Sequence, residues 1–155
     1  MRVAAGVLLI IMAIVNLGGG LAYAGLGGIA GIGGSYVEQA SQEQAMNSQD
    51  ESERQAAEMT GQAAGTAKSM GGMLMMFGIF ILVLGGLEIA GAVLLFMAKS
   101  AMFINVVALL QVVASIISMV TLSIGIFNTF GIIVAILAFL GARTIGQASP
   151  APQAA

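Results

Sequence analysis

Cysteine, histidine and tryptophan are all missing from this chain. Without Cys there is no disulfide, no thiolate metal site and no cysteine nucleophile. Without His the commonest general base and the commonest metal ligand are both absent. Charge is scarce as well. Charged residues make up 8% of the 155 positions, against about 25% in a soluble domain, which is too little to cover a water-exposed surface. The net charge of −2 gives no basic footprint for nucleic acid. Proline occurs only as Pro150 and Pro152, in the polar tail.

What is present is apolar. Hydrophobic residues are 59% of the chain, and they fall into long runs. The first run, 3–34, has no charge, and the second, 71–98, has one, Glu88. A last uncharged stretch, 100–142, is long enough for two spans, because a bilayer core needs roughly 20 helical residues. A turn is expected within 123–129, where Gly125 and Asn128 are the turn-capable residues. The expected fold is an all-α membrane protein. It is a left-handed bundle of four transmembrane helices over about 3–33, 71–98, 101–123 and 126–142, forming one domain over 1–143. The polar tail 144–155 is expected to be disordered.

Between the first two spans, 35–70 is rich in Ala, Gln, Glu and Ser, which includes good helix formers. It carries Glu38, Glu43, Asp50, Glu51, Glu53 and Glu58. The composition predicts a helical hairpin turning near 47–50, with Ser48 and Glu51 reading as a capping box. A disordered acidic loop is the alternative.

The basic residues give an orientation. Arg2, Lys99 and Arg143 fall on one side of a four-span chain, and the positive-inside rule makes that side the cytoplasm. Both termini are then cytoplasmic and the acidic hairpin lies outside. A plasma membrane is expected, and small size with Ala/Gly bias points to a bacterial inner membrane. One alternative concerns the start of the chain. Arg2, an apolar core and Ala22-Tyr23-Ala24 resemble a signal peptide with its cleavage site, which would leave three spans.

In lipid, small residues that let backbones approach drive helix packing. Here they recur every seventh residue. The first helix has Gly6, Ala13, Gly20, Gly27 and Gly34, and the second has Gly71, Gly78, Gly85 and Ala92. The third has Ala101, Ala108 and Ser115. The fourth alternates four and three through Gly131, Ala135, Ala138 and Ala142. A sustained seven-residue repeat implies a left-handed supercoil. Gly18 to Gly20 is a candidate kink in the first helix.

Glu88 is the residue that asks for chemistry. It lies roughly 15 Å along the helix from Ala98 at 1.5 Å per residue, near mid-bilayer. Intramembrane carboxyls are costly and are functional candidates by default. Three residues after Gly85 and four before Ala92, it sits on the small-residue face. Asn16 and Gln111 are expected at the same depth, with Ser115 and Ser118 extending a polar stripe. With no cation nearby, the neutral acid is favoured, so Glu88 is expected to be protonated and to donate to Gln111 or Asn16. Two uses follow: interhelical glue, or a proton or cation site. Met70, Met73, Met75 and Met76 could in principle bind Cu(I), but without Cys or His apolar packing is the expected role.

No enzyme reading stands, because no hydroxyl has a His or Lys base and 61–68 lacks the glycine-lysine end of a P-loop. No cofactor and no metal are expected. Four spans with a larger first outer loop resemble the layout of tetraspan families such as claudins, but the first-loop Trp and paired Cys of claudins are absent. The expected function is that of a non-enzymatic integral membrane protein, structural or accessory, or self-assembling through its small-residue seams. Its partners would be the lipid bilayer and a second copy or another membrane protein. A proton- or cation-handling channel or transporter subunit using Glu88 is the alternative, and an envelope sensor acting through the outer hairpin is a third.

Overall fold

The computed structural model describes residues 2–122 and 126–147, with side chains placed over 2–120 and 129–145. Four helices make up the described chain: α1 (Arg2–Asn47), α2 (Glu51–Phe96), α3 (Ala101–Leu122) and α4 (Ile126–Gln147). There is no strand among the described residues. The chain is a multi-pass membrane protein: α1, α2 and the Ala101–Val120 part of α3 are long and apolar enough to cross a bilayer, and α4 carries a shorter apolar stretch, Thr129–Ile145.

α1 and α2 have 46 residues each and α3 and α4 have 22 each. At 1.5 Å per residue these are about 69 Å and about 33 Å long. The chain divides into two compact units, one of Met1–Gly18 with Ile81–Ala155 and one of Gly19–Phe80. Only the first contains α3 and α4, while the second is built from α1 and α2 alone.

In the unit Gly19–Phe80, every buried residue is small: Gly20, Gly27, Gly34 and Ser41 on α1, and Ala57, Ala64, Gly71 and Gly78 on α2. All are spaced by seven. The two helices run antiparallel with backbone against backbone. A Cβ on Gly71 would lie 2.7 Å from the Gly27 carbonyl oxygen, one on Gly78 the same distance from that of Gly20, and one on Gly34 2.8 Å from that of Ala64. Gly20–Gly78, Gly27–Gly71, Gly34–Ala64 and Ser41–Ala57 share one antiparallel register. Ser41 fits the seam because its hydroxyl turns back to the carbonyls of Val37 and Glu38, at 2.8 and 2.9 Å, and so needs no partner across it. Beside the seam, the Tyr23 and Phe77 rings meet edge to face at 5.8 Å, and Lys68 Nζ lies 3.1 Å from Glu38 Oε2.

The connection between α1 and α2 differs in detail from the sequence expectation. α2 starts at Glu51, so the cap is Asp50 rather than Ser48. Asp50 Oδ1 accepts the Ser52 backbone N–H at 2.9 Å and the Ser52 hydroxyl at 2.8 Å. These two bonds hold the Asp50 carboxyl below the usual aspartate range, as expected for an N-cap. Ser48 instead donates to Glu53 Oε2 at 3.3 Å.

The other unit has a core of large side chains. Leu9, Leu84, Leu95, Ile104, Val107 and Val134 are all at most 1% exposed, with Ala92, Ala108, Ala135, Ala138 and Ala142 buried between them. α3 and α4 pack along each other. Between α2 and α3 the chain turns by a motif that normally uses glycine. Lys99 N–H donates to the Leu94 carbonyl at 2.9 Å and Ala98 N–H to that of Leu95 at 3.2 Å. This is the paired closure of a Schellman cap, and it places Ala98 at φ 52°. This cap ends α2 at Phe96, two residues before the expected end of the second span at 98.

α1 is assigned as unbroken helix through Gly18 to Gly20. α4 continues to Gln147, so 144–147 are helical rather than tail. The rest of the tail, and Gly125 of the expected turn, lie outside the described residues, while Asn128 falls within α4.

Candidate functional site: the buried polar cluster around Glu88

All polar residues discussed in this section belong to the unit Met1–Gly18 with Ile81–Ala155. α2 places Glu88 with no exposed surface, α1 places Asn16 at 6% exposure, and α3 places Gln111 and Ser115 at 2% and 4%. They face inward because each lies on the same helical face as a small residue: Glu88 beside Gly85 and Ala92, Asn16 beside Ala13, and Ser115 seven residues after Ala108.

Asn16 is the hub. Its Nδ2 donates to Glu88 Oε2 at 2.8 Å and to Gln111 Oε1 at 3.1 Å. Both amide hydrogens are therefore used, one on each neighbouring helix. The expected donation from Glu88 is replaced by acceptance, because the carboxyl meets the NH₂ end of an amide, which can only donate. Glu88 Oε1 is buried and makes no hydrogen bond among the described residues. Gln111 does not bond Glu88 directly; Asn16 stands between them as a bridge.

α4 closes the cluster through its backbone. A Cβ on Gly131 would fall 2.7 Å from both Gln111 Nε2 and Ser115 Oγ, and 3.2 Å from Met12 Cε. Glycine at 131 is what lets α4 lie against two polar side chains of α3. Ser118 is only part-buried, and no hydrogen bond among the described residues ties it to the cluster.

Of the packing residues read from the sequence, Gly6, Ala13, Gly20, Gly27, Gly78, Gly85, Ala92, Ala108, Gly131, Ala135 and Ala138 are buried, while Ala101 is part-buried. Gly6 accommodates the Phe96 ring, and Gly85 faces the Ala13 carbonyl and Leu17. Sequence reasoning missed Ser41, Ala57 and Ala64, although the same seven-residue spacing reaches them from Gly34 and Gly71. It also missed Asn105 on α3, whose Oδ1 is buried without a partner among the described residues; six residues before Gln111, it falls off the small-residue face.

No group of His, Cys, Asp or Glu among the described residues is arranged to hold a metal ion. Met70, Met73, Met75 and Met76 are all exposed, as apolar residues facing lipid would be. A lone carboxyl held by one amide can position helices or exchange a proton; it has no second carboxylate for acid–base catalysis. The chain matches no protein-family model, and no curated protein and no solved structure shows detectable similarity to it.

Proposed function

We propose that this is a non-enzymatic, four-span membrane protein with a structural or accessory role. In this reading the chain forms a left-handed bundle, and the polar segment 35–70 forms an antiparallel helical hairpin outside the bilayer. Both termini lie in the cytoplasm of a bacterial cell and the hairpin lies outside its inner membrane. The observation that carries the reading is the use made of the small-residue faces. On α1 and α2 they are buried against each other within one chain, out to Ser41 and Ala57 in the polar segment. A pair of helices in backbone contact is rigid, and about 69 Å of helix is roughly twice the 30 Å hydrocarbon thickness. Self-assembly through those faces is correspondingly disfavoured. A second copy or another membrane protein would meet the outward faces instead.

Because the chain has no Cys, single Ser→Cys variants test the topology directly. Cys at 48 and at 123 should react with a membrane-impermeant maleimide from one side, and Cys at 100 and at 149 from the other. Reaction of 149 from the side of 48 would overturn four spans. Spin labels at Glu43 and Glu58 should give one narrow distance distribution; a broad one would remove the stiff hairpin.

A proton- or cation-handling role is favoured by one observation, the buried and unpartnered Glu88 Oε1. Its test is flux in proteoliposomes. The structural reading expects none, whereas proton or sodium flux abolished by Glu88→Gln in a folded protein would replace it.

A further inference from the structure

α3 and α4 leave a groove of about 660 Å³ along their outward side, within the roughly 300–1,000 Å³ of ligand sites. Its walls are apolar, with Met102, Val106, Leu109, Ile136, Phe139 and Leu140 among them, and one polar side chain, Asn105, enters it. Two features separate this groove from an ordinary lipid-facing surface. Asn105 Oδ1 is buried and has no hydrogen-bond partner among the described residues, which leaves Nδ2, a donor, as the end of the amide that faces the groove, and an unmet donor in a membrane is costly unless something in the bilayer accepts from it. At the end of the groove, the Arg143 guanidinium lies 4.7 Å over the ring of Phe139.

The charge at that end has one sign. Arg2 lies against Gly141, and Phe96, three residues before Lys99, lies against Gly6. Arg2, Lys99 and Arg143 therefore gather at the same end of this unit, and the only acid outside 35–70 is Glu88, ten residues from Ala98 in the interior. An apolar channel for an acyl chain, an amide N–H donor one turn further out and a guanidinium with no ion pair among the described residues at the interface follow the order of parts in a phospholipid.

We propose that the outward α3–α4 groove is a binding site for one anionic phospholipid, with Arg143 on the headgroup phosphate and the Asn105 amide on the glycerol-ester region. Basic sites between transmembrane helices select anionic headgroups over zwitterionic ones by about 1 kcal/mol per basic residue, a preference of about fivefold. Arg143 supplies the selectivity, because only it is both cationic and in contact with a groove wall. Asn105 Nδ2 supplies affinity for either kind of lipid, because ester carbonyls, which accept, are common to both. The inference does not depend on the hairpin reading.

The test is native mass spectrometry of the protein offered phosphatidylglycerol and phosphatidylcholine of identical acyl chains in equal amounts. The wild type should retain one phosphatidylglycerol about fivefold over phosphatidylcholine. Arg143→Gln should abolish the preference, and Asn105→Leu should lower retention of both lipids while leaving their ratio. Leu109→Trp changes an exposed residue (65%) and should block the groove without disturbing the core, which covers the case in which Arg143→Gln fails to fold. Equal retention of the two lipids by the wild type, or an unchanged ratio in folded Arg143→Gln, overturns the site. A lipid-free dimer that Leu109→Trp dissociates would assign the groove to a second copy and overturn it equally.

Discussion

The two units of this chain solve the packing problem in different ways. In Gly19–Phe80 nothing larger than alanine or serine is buried, and the helices touch backbone to backbone. In Met1–Gly18 with Ile81–Ala155, leucine, isoleucine and valine interlock around a polar cluster. In lipid, two helices gain little from burying large apolar side chains between them, because lipid tails are as apolar as leucine. They gain contact only by approaching closely, which requires that nothing stand between them. Four helices enclose an interior, so large side chains and even a carboxyl find partners on several sides.

The largest effects should come from the enclosed interior. Leu84→Ala, at 1% exposure, should cost about 2–5 kcal/mol in a reversible unfolding titration in mixed micelles. Met73→Ala, at 68% exposure in the two-helix unit, should be close to neutral. Equal costs would erase the contrast between the units.

Next come the seam glycines, where neighbouring residues should behave oppositely. A Cβ at Gly27 would collide with the backbone of Met75 and of Gly71, whereas one at Gly28 meets nothing within 4 Å. Gly27→Ala should destabilise by about 1–3 kcal/mol, since backbone cannot swing aside as a side chain can. Gly28→Ala should stabilise by about 0.5–1 kcal/mol, the ordinary gain of alanine over glycine in a helix. If both variants shift the unfolding midpoint in the same direction, the backbone contact is not what holds the pair.

Asn16→Leu strips the donor from two buried acceptors and should cost about 1–3 kcal/mol. Pairing it with Glu88→Leu should recover part of that loss, because no carboxyl remains to be satisfied. Strict additivity in this cycle would show that the Asn16–Glu88 bond contributes nothing.

Two smaller effects concern the connections. Ala98→Gly should stabilise by about 1 kcal/mol by relieving the left-handed backbone at the Schellman cap, readable in the same titration. The Asp50 cap is fully exposed. Its lowered pKa means its stabilisation is complete above the ordinary aspartate value of 3.8 and is lost as pH falls through the lower folded value. Amide exchange in the first turn of α2 should therefore accelerate only below about pH 4, and Asp50→Ala should accelerate it at neutral pH. An identical pH response in Asp50→Ala would remove Asp50 from the cap.

Much of this was legible in the sequence. The apolar runs locate the helices, the seven-residue spacing of Gly and Ala marks the faces that end up buried, and the position of Glu88 among small residues places it inward. The helix ends were less legible. Ser48 and Asp50 are both good caps, and the choice between them depends on which backbone N–H groups the geometry leaves free. Ala98 gives no sign of the left-handed conformation it adopts, because alanine rarely takes it.

The sequence by itself determined that the chain is helical, apolar enough for a bilayer, and striped with small residues at a helical repeat, since composition and periodicity act within each helix. Only the tertiary structure decided which stripe meets which. It set the common register of Gly20, Gly27 and Gly34 on Gly78, Gly71 and Ala64, put Asn16 rather than Gln111 on Glu88, and left Ser118 aside. A repeat fixes the direction a side chain faces, but a hydrogen bond or a backbone contact depends on what another helix brings to within about 3 Å of it.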